Sequence, residues 1–156
     1  MARMTEDMMR VVREQRLGFI ATVRDDGTPS LSPKGTTTVW NDESLMFADI
    51  RSPGTVGNLL RNPAVEVNVV DVFNRRGYRF RGTAEVFSDG AQFARMRAVY
   101  SRSEGLGDEV AQRMRAIVVI KIDQAHPLVS PAYSLGQTEA EVRATWQKHY
   151  LGLSKR

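Results

Sequence analysis

The sequence contains no cysteine. Disulfides, thiolate metal sites, cysteine nucleophiles and iron–sulfur clusters are thereby excluded together. Histidine is almost as scarce: His126 and His149 are the only two. That is too few for a structural zinc site and leaves little acid–base chemistry near neutral pH. No apolar run approaches the roughly 18 residues of a membrane span, and the opening MARMTEDMMRVVREQ lacks the apolar stretch of a secretory leader. A cytoplasmic protein without a membrane partner is expected. No Ser-His-Asp arrangement can be read, and the paired acids Asp25/Asp26 and Glu139/Glu141 fall in a turn and a helix cap, so a hydrolase is poorly supported. The basic residues outnumber the acidic ones 22 to 18, for a net charge of +4. They are scattered among acids, with no polybasic tail and no reading motif, so no nucleic-acid partner is expected.

What is present is a globular composition, with 42% hydrophobic and 26% charged residues over 156 positions. That length suits a single domain with a proper core. Thr5-Glu6-Asp7 opens a helix, with a hydroxyl cap and acids in the first turn. Leu17 to Val23 is a β run, and Asp25-Asp26-Gly27-Thr28 a hairpin turn. The return strand is expected from Pro29 to about Trp40, and a third strand over Leu45–Asp49 after the turn Asn41–Ser44. Ser52-Pro53 starts a helix with a hydroxyl at the cap and proline at the first helical position, ending by Asn62-Pro63.

Val65, Val67 and Val69 alternate with polar residues in a half-buried strand, and Tyr78–Val86 forms the next after the turn at Asn74–Gly77. Asp89 caps a helix through Tyr100, Ser101–Gly107 is a loop, and Asp108–Met114 a short helix. Ala116–Ile122 is the last and most hydrophobic strand, suited to a central place in a sheet. His126 to Gly136 reads as irregular, with His126 beside Pro127 ending the strand. Thr138 to Glu141 is a capping box for a helix through about His149. Six strands, mostly hairpin-linked, predict a mainly β fold: a closed antiparallel barrel with peripheral helices.

Two stretches carry chemistry. In Asp49-Ile50-Arg51-Ser52-Pro53-Gly54-Thr55 a strand end meets a helix start, whose unsatisfied N–H groups and dipole attract anions. Gly54 allows close approach, Ser52 and Thr55 offer hydroxyls, and Arg51 offers a charged fork suited to phosphate. The same residues also serve ordinary helix capping. In Ser32-Pro33-Lys34-Gly35-Thr36-Thr37-Thr38, Lys34 is within reach of a phosphate and the threonines of a heteroaromatic ring. A bend marked by Pro and Gly, with threonines favouring the strand, is the plainer account. A phosphate grip without acid–base groups suits a cofactor that brings its own chemistry.

Taken together, GFIATVRDDGTPSLSPKG, LMFADIRSPGTVGNLLRNPAVEVNVVD and YRFRGTAEVF resemble the pyridoxamine 5′-phosphate oxidase-like family of FMN-binding split β-barrels, from about Leu17 to Ile122. The resemblance implies an FMN-dependent oxidoreductase acting on a small molecule, working as a homodimer with two FMN molecules at the interface. By position, it places Ser32, Pro33, Lys34, Gly35 and Thr36 along the flavin, with Asp49 and Ile50 touching it from the third strand. Arg51, Thr55 and Lys34 become the phosphate contacts.

Trp146 and Tyr133, in the C-terminal segment, either cover the flavin or its substrate or anchor an amphipathic helix. Tyr78 and Arg79 belong to the barrel wall or to the partner side of the flavin. Gly54-Thr55 stands where the oxidases proper have Arg-Lys, Gly77 where they have glutamine, and their Arg-x-His motif has no counterpart. Pyridoxamine phosphate oxidation itself is therefore not expected. NAD(P)H is a candidate electron donor. A flavin- or haem-binding protein or electron carrier on the same barrel, or an F420-dependent reductase, is the alternative.

Overall fold

The computed structural model describes residues 2–102 and 106–156. Helix α1 (Glu6–Gln15) is followed by strands β1 (Gly18–Val23), β2 (Pro29–Lys34), β3 (Thr38–Asn41) and β4 (Ser44–Asp49). Then come α2 (Pro53–Arg61), β5 (Ala64–Asp71), β6 (Arg76–Phe87), α3 (Gly90–Arg102), α4 (Gly107–Gln112) and β7 (Ala116–Val129). The chain closes with a single turn, α5 (Pro131–Ser134), and α6 (Glu139–Leu153). Among these residues no helix is long and apolar enough to cross a membrane.

All strand pairs are antiparallel, in one sheet of order β2-β1-β5-β6-β7-β4-β3. The two edge strands, β2 and β3, are neighbours in the chain and are joined by residues 35–37 alone. A link that short spans at most about 3.3–3.6 Å per residue, so the sheet must curl until its edges nearly meet. The result is not the closed barrel expected but one left open along one seam, because β2 and β3 do not pair. Seven strands, not six, build it, because the expected Pro29–Trp40 strand breaks at Gly35–Thr37 to pass from one edge to the other. Three bonds fasten that crossing. The Tyr100 hydroxyl donates to the Thr36 carbonyl (2.8 Å), the Thr37 hydroxyl donates to the Lys34 carbonyl (2.8 Å), and Ala48 N donates to Thr36 Oγ1 (2.9 Å).

The interior is filled by Ile20, Leu45, Phe47, Val65, Val67, Val69, Phe80, Val118, Ile120 and Ile122, with Met9, Val11 and Val12 of α1 and Leu59 of α2 packed against them. A second core lies outside the sheet, where Met46, Ala48, Ile117 and Val119 meet Phe93, Met96 and Tyr100 of α3. Strand β4 is thus buried on both faces, which is why its sequence shows no alternation.

Three other expectations change. Strand β7 continues past Ile122 to Val129, because β6 is long enough to keep pairing with it; His126 lies opposite Arg79 in mid-strand and does not end it. The segment expected to be irregular therefore supplies strand up to Val129 and the α5 turn. Helix α6 runs on to Leu153, beyond His149, from the expected capping box. Of the expected loop Ser101–Gly107, positions 103–105 lie outside the described residues, while Ser101 and Arg102 belong to α3 and Gly107 opens α4.

Candidate functional site

The hairpin β1–β2 and the start of α2 face one another across a cleft of about 710 Å³, a volume typical of sites for cofactors and drug-sized ligands. Helix α2 is held in place by its buried Asn58, whose amide donates to the Thr22 hydroxyl on β1 at 3.0 Å. Ser52 occupies the N-cap position, but its side chain makes no capping bond. The expected hydroxyl cap does not form, and Asp49 accepts instead from the main-chain N–H of Ser52 itself, Oδ1 to N at 2.6 Å. The first turn of α2 therefore presents N–H donors to the cleft without a capping side chain across them. Gly54 sits there with open space where a Cβ would stand.

Arg51, Ser52, Gly54 and Thr55 line the cleft from the α2 side, and Ser30, Leu31 and Ser32 from β2. Arg24 and Arg61 add two further guanidinium groups, and Asp25 and Asp26 two carboxylates. The acids are engaged: Asp25 pairs with Arg61 at 3.5 Å, and Asp26 accepts from the Thr28 hydroxyl (2.6 Å) and amide (3.0 Å). Those Thr28 bonds, the side-chain one foremost, hold the Asp26 carboxyl below its usual range. Arg24 donates to the Pro29 carbonyl and Arg61 to Asn58 Oδ1. Arg51 has no hydrogen-bond or ion-pair partner among the described residues, and it is exposed.

The residues singled out in the sequence divide accordingly. Ser32, Arg51 and Thr55 come together at the cleft. Lys34 does not line it. This side chain is 5% exposed, and its ammonium donates to Ser32 Oγ at 2.7 Å. Burial lowers the Lys34 pKa, and the nearby Asp49 carboxylate opposes that shift. Asp49 itself is buried, bonded to Ser52 N and 3.6 Å from the Arg115 guanidinium. Ile50 packs on the outer core, and the Thr36 hydroxyl is taken by the main chain of Ala48. Pro33 and Gly35 are exposed but lie outside the lining of the cleft.

Trp146 stands under the Arg75 guanidinium, 3.4 Å from the ring centroid, where α6 docks on the β5–β6 turn. Tyr133 is on the same side of the molecule, its hydroxyl donating to the Asn74 carbonyl at 2.6 Å. Arg24 and Arg61 went unread in the sequence. The signals were available: Arg24 directly precedes the hairpin turn, and Gly54, Asn58 and Arg61 share a helix face at i, i+4 and i+7. Among the described residues, no three His, Asp or Glu side chains gather where a metal ion could be held.

The family model for pyridoxamine 5′-phosphate oxidase matches residues 4–128 of the chain. Among solved structures, HupZ of Group A Streptococcus is 27% identical, with a TM-score of 0.70 over 81% of this chain and 95% of its own. An F420 reductase is 26% identical, with a TM-score of 0.61 over 78% of this chain and 98% of its own. An FMN-binding protein of Syntrophomonas wolfei is 14% identical, with a TM-score of 0.60 over 80% of this chain and 88% of its own, a likeness of fold alone. No curated protein matches the chain in sequence.

Proposed function

This chain belongs to the pyridoxamine 5′-phosphate oxidase family, and from that premise we propose that it is an FMN-dependent oxidoreductase acting on a small molecule. The observation that carries the reading is the cleft between β2 and α2. One wall offers uncapped helix N–H groups and the exposed Arg51 guanidinium, an arrangement suited to a phosphate monoester. The open space at Gly54 lets a phosphate approach the backbone. These residues fit the phosphate end of FMN: Arg51, Ser52 and Thr55 would hold it, with Arg24 and Arg61 adding positive potential. Bound FMN would supply a two-electron redox centre that exchanges hydride with the substrate. The protein's own part is to anchor the phosphate, orient the ring and keep water from it.

A cleft this open leaves much of a flavin in solvent, whereas ligand sites usually bury 70–90% or more of their occupant. Leu31 on its rim is 67% exposed, and Phe19 and Leu60 stand out from β1 and α2 nearby. We therefore read the working form as a homodimer whose second subunit closes the site through an isologous interface. NAD(P)H is the candidate donor.

The likeness to an F420 reductase supports a second reading, in which the same cleft takes a deazaflavin. Titration of the purified protein with FMN and with F420, followed by flavin fluorescence, separates the two. Saturable FMN binding and steady turnover with NAD(P)H and an acceptor are expected. F420 binding alone would transfer the site to the deazaflavin, and binding of neither would remove the proposal.

A further inference from the structure

Ser32 and Lys34 are two residues apart on β2, so their side chains leave the strand on the same face. The Lys34 Nζ to Ser32 Oγ distance is 2.7 Å. An ammonium group has three donors and no acceptor, so in this bond Ser32 can only accept. Its single hydroxyl proton then has to point elsewhere. Ser32 lines the cleft, and no acceptor among the described residues takes that proton. Lys34 is packed behind it, too buried to line the cleft.

We infer that Lys34 is a positioning residue which holds Ser32 at the cleft and, by donating to its oxygen, strengthens its hydroxyl as a hydrogen-bond donor toward the cofactor. The inference rests on the cleft being the FMN site, and it gives Lys34 a role other than direct contact with phosphate. Burying an ammonium is costly unless it is bonded, and Ser32 and the Asp49 charge are what it meets here. The bond from Lys34 uses one of the two lone pairs of Ser32 Oγ and polarises the hydroxyl, so the O–H it offers a ligand is a stronger donor than that of a free serine.

The test is a double-mutant cycle on FMN affinity, read by fluorescence quenching, with thermal melts to check folding. Ser32→Ala is expected to weaken FMN about tenfold, the scale of a hydrogen bond to a polar or charged acceptor. Lys34→Met is expected to weaken it by a smaller factor. The double variant should bind no more weakly than Ser32→Ala, because Lys34 acts only through the serine. Additive losses in a protein that binds FMN would show Lys34 gripping the ligand itself and would overturn this inference while leaving the cofactor reading intact. Failure of the wild type to bind FMN would overturn both.

An independent measurement needs neither FMN nor a Lys34 variant. In the ligand-free protein, the ¹⁵N-labelled Lys34 ammonium resonance should move on Ser32→Ala, and an unmoved resonance would also overturn the inference.

Discussion

Asn58 of α2 and Thr22 of β1 meet inside the protein, the asparagine amide donating to the threonine hydroxyl at 3.0 Å, with the two residues 6% and 4% exposed. The same asparagine accepts from Arg61 through its Oδ1 at 2.9 Å. One side chain thus joins the helix to the barrel and steadies a guanidinium at the cleft. Asn58→Ala strips a buried hydroxyl of its partner, at a cost of about 1–3 kcal/mol. Urea unfolding should register that loss, and FMN affinity should fall with it as Arg61 is released. Unchanged stability would mean that water replaces the amide.

Among the described residues Arg51 has no partner to lose, so its removal should leave folding alone and act on ligand only. Charge-assisted hydrogen bonds contribute about 1.5–3 kcal/mol, roughly tenfold to more than a hundredfold in affinity. Arg51→Ala is expected to weaken FMN binding to that degree and barely to affect riboflavin, which lacks the phosphate. Equal weakening of the two flavins would place Arg51 at the ring or in the scaffold.

Tyr78 of β6 donates to Asp7 of α1 at 2.5 Å and ties the helix over the barrel mouth. This bond lowers the Asp7 pKa, with Arg10 assisting, and raises that of Tyr78. The lowered carboxyl contributes stability that is present above its unfolded pKa and is lost as pH falls through the folded one. The raised phenol contributes stability that is present below about pH 10 and is lost as pH climbs through its folded pKa. Urea midpoints across pH should therefore show an acid and an alkaline limb that both flatten in Tyr78→Phe. Identical profiles for the two proteins would count against the coupling.

At Gly77, a Cβ would stand 2.0 Å from the Val69 carbonyl oxygen, and backbone cannot step aside as a side chain does. Gly77→Ala should destabilise by about 3 kcal/mol or more, at or beyond the upper end of overpacking costs. Gly35→Ala meets nothing within 4 Å and serves as the control, expected near wild type by thermal melt.

Much of the barrel could be read from local patterns. The valine alternation of β5 and the Asp-Asp-Gly-Thr turn each name a single conformation, as does the Thr138–Glu141 capping box. The break at Gly35–Thr37 was not legible, because Ser32 to Trp40 continues a plausible strand and only the sheet order requires it to change edges. Strand β7 was underestimated for a related reason: Asp123, Gln124 and His126 are exposed and held in place by pairing with β6, not by apolar periodicity.

The lining of the candidate cleft was legible where a motif and a surface coincide, as at Arg51 and Thr55. Asp49 and Lys34 fall outside that lining because each turns inward, Asp49 to its own main chain and Lys34 to Ser32. Trp146 stacks on Arg75 of its own chain, a pairing between distant segments that no local pattern announces.

Strand β4 is complete by Asp49, yet in the finished sheet it lies between β3 and β7, and β7 ends at Val129. While the chain emerges from the ribosome, the ladder joining residues 44–49 to 116–121 therefore cannot form until about seventy further residues have been made. For that interval Leu45, Met46 and Phe47 have their eventual neighbours on only one side. At a synthesis rate of about 5–20 residues per second the wait lasts some seconds. During it, the growing chain carries an apolar strand edge that a chaperone, or a second nascent copy, can capture.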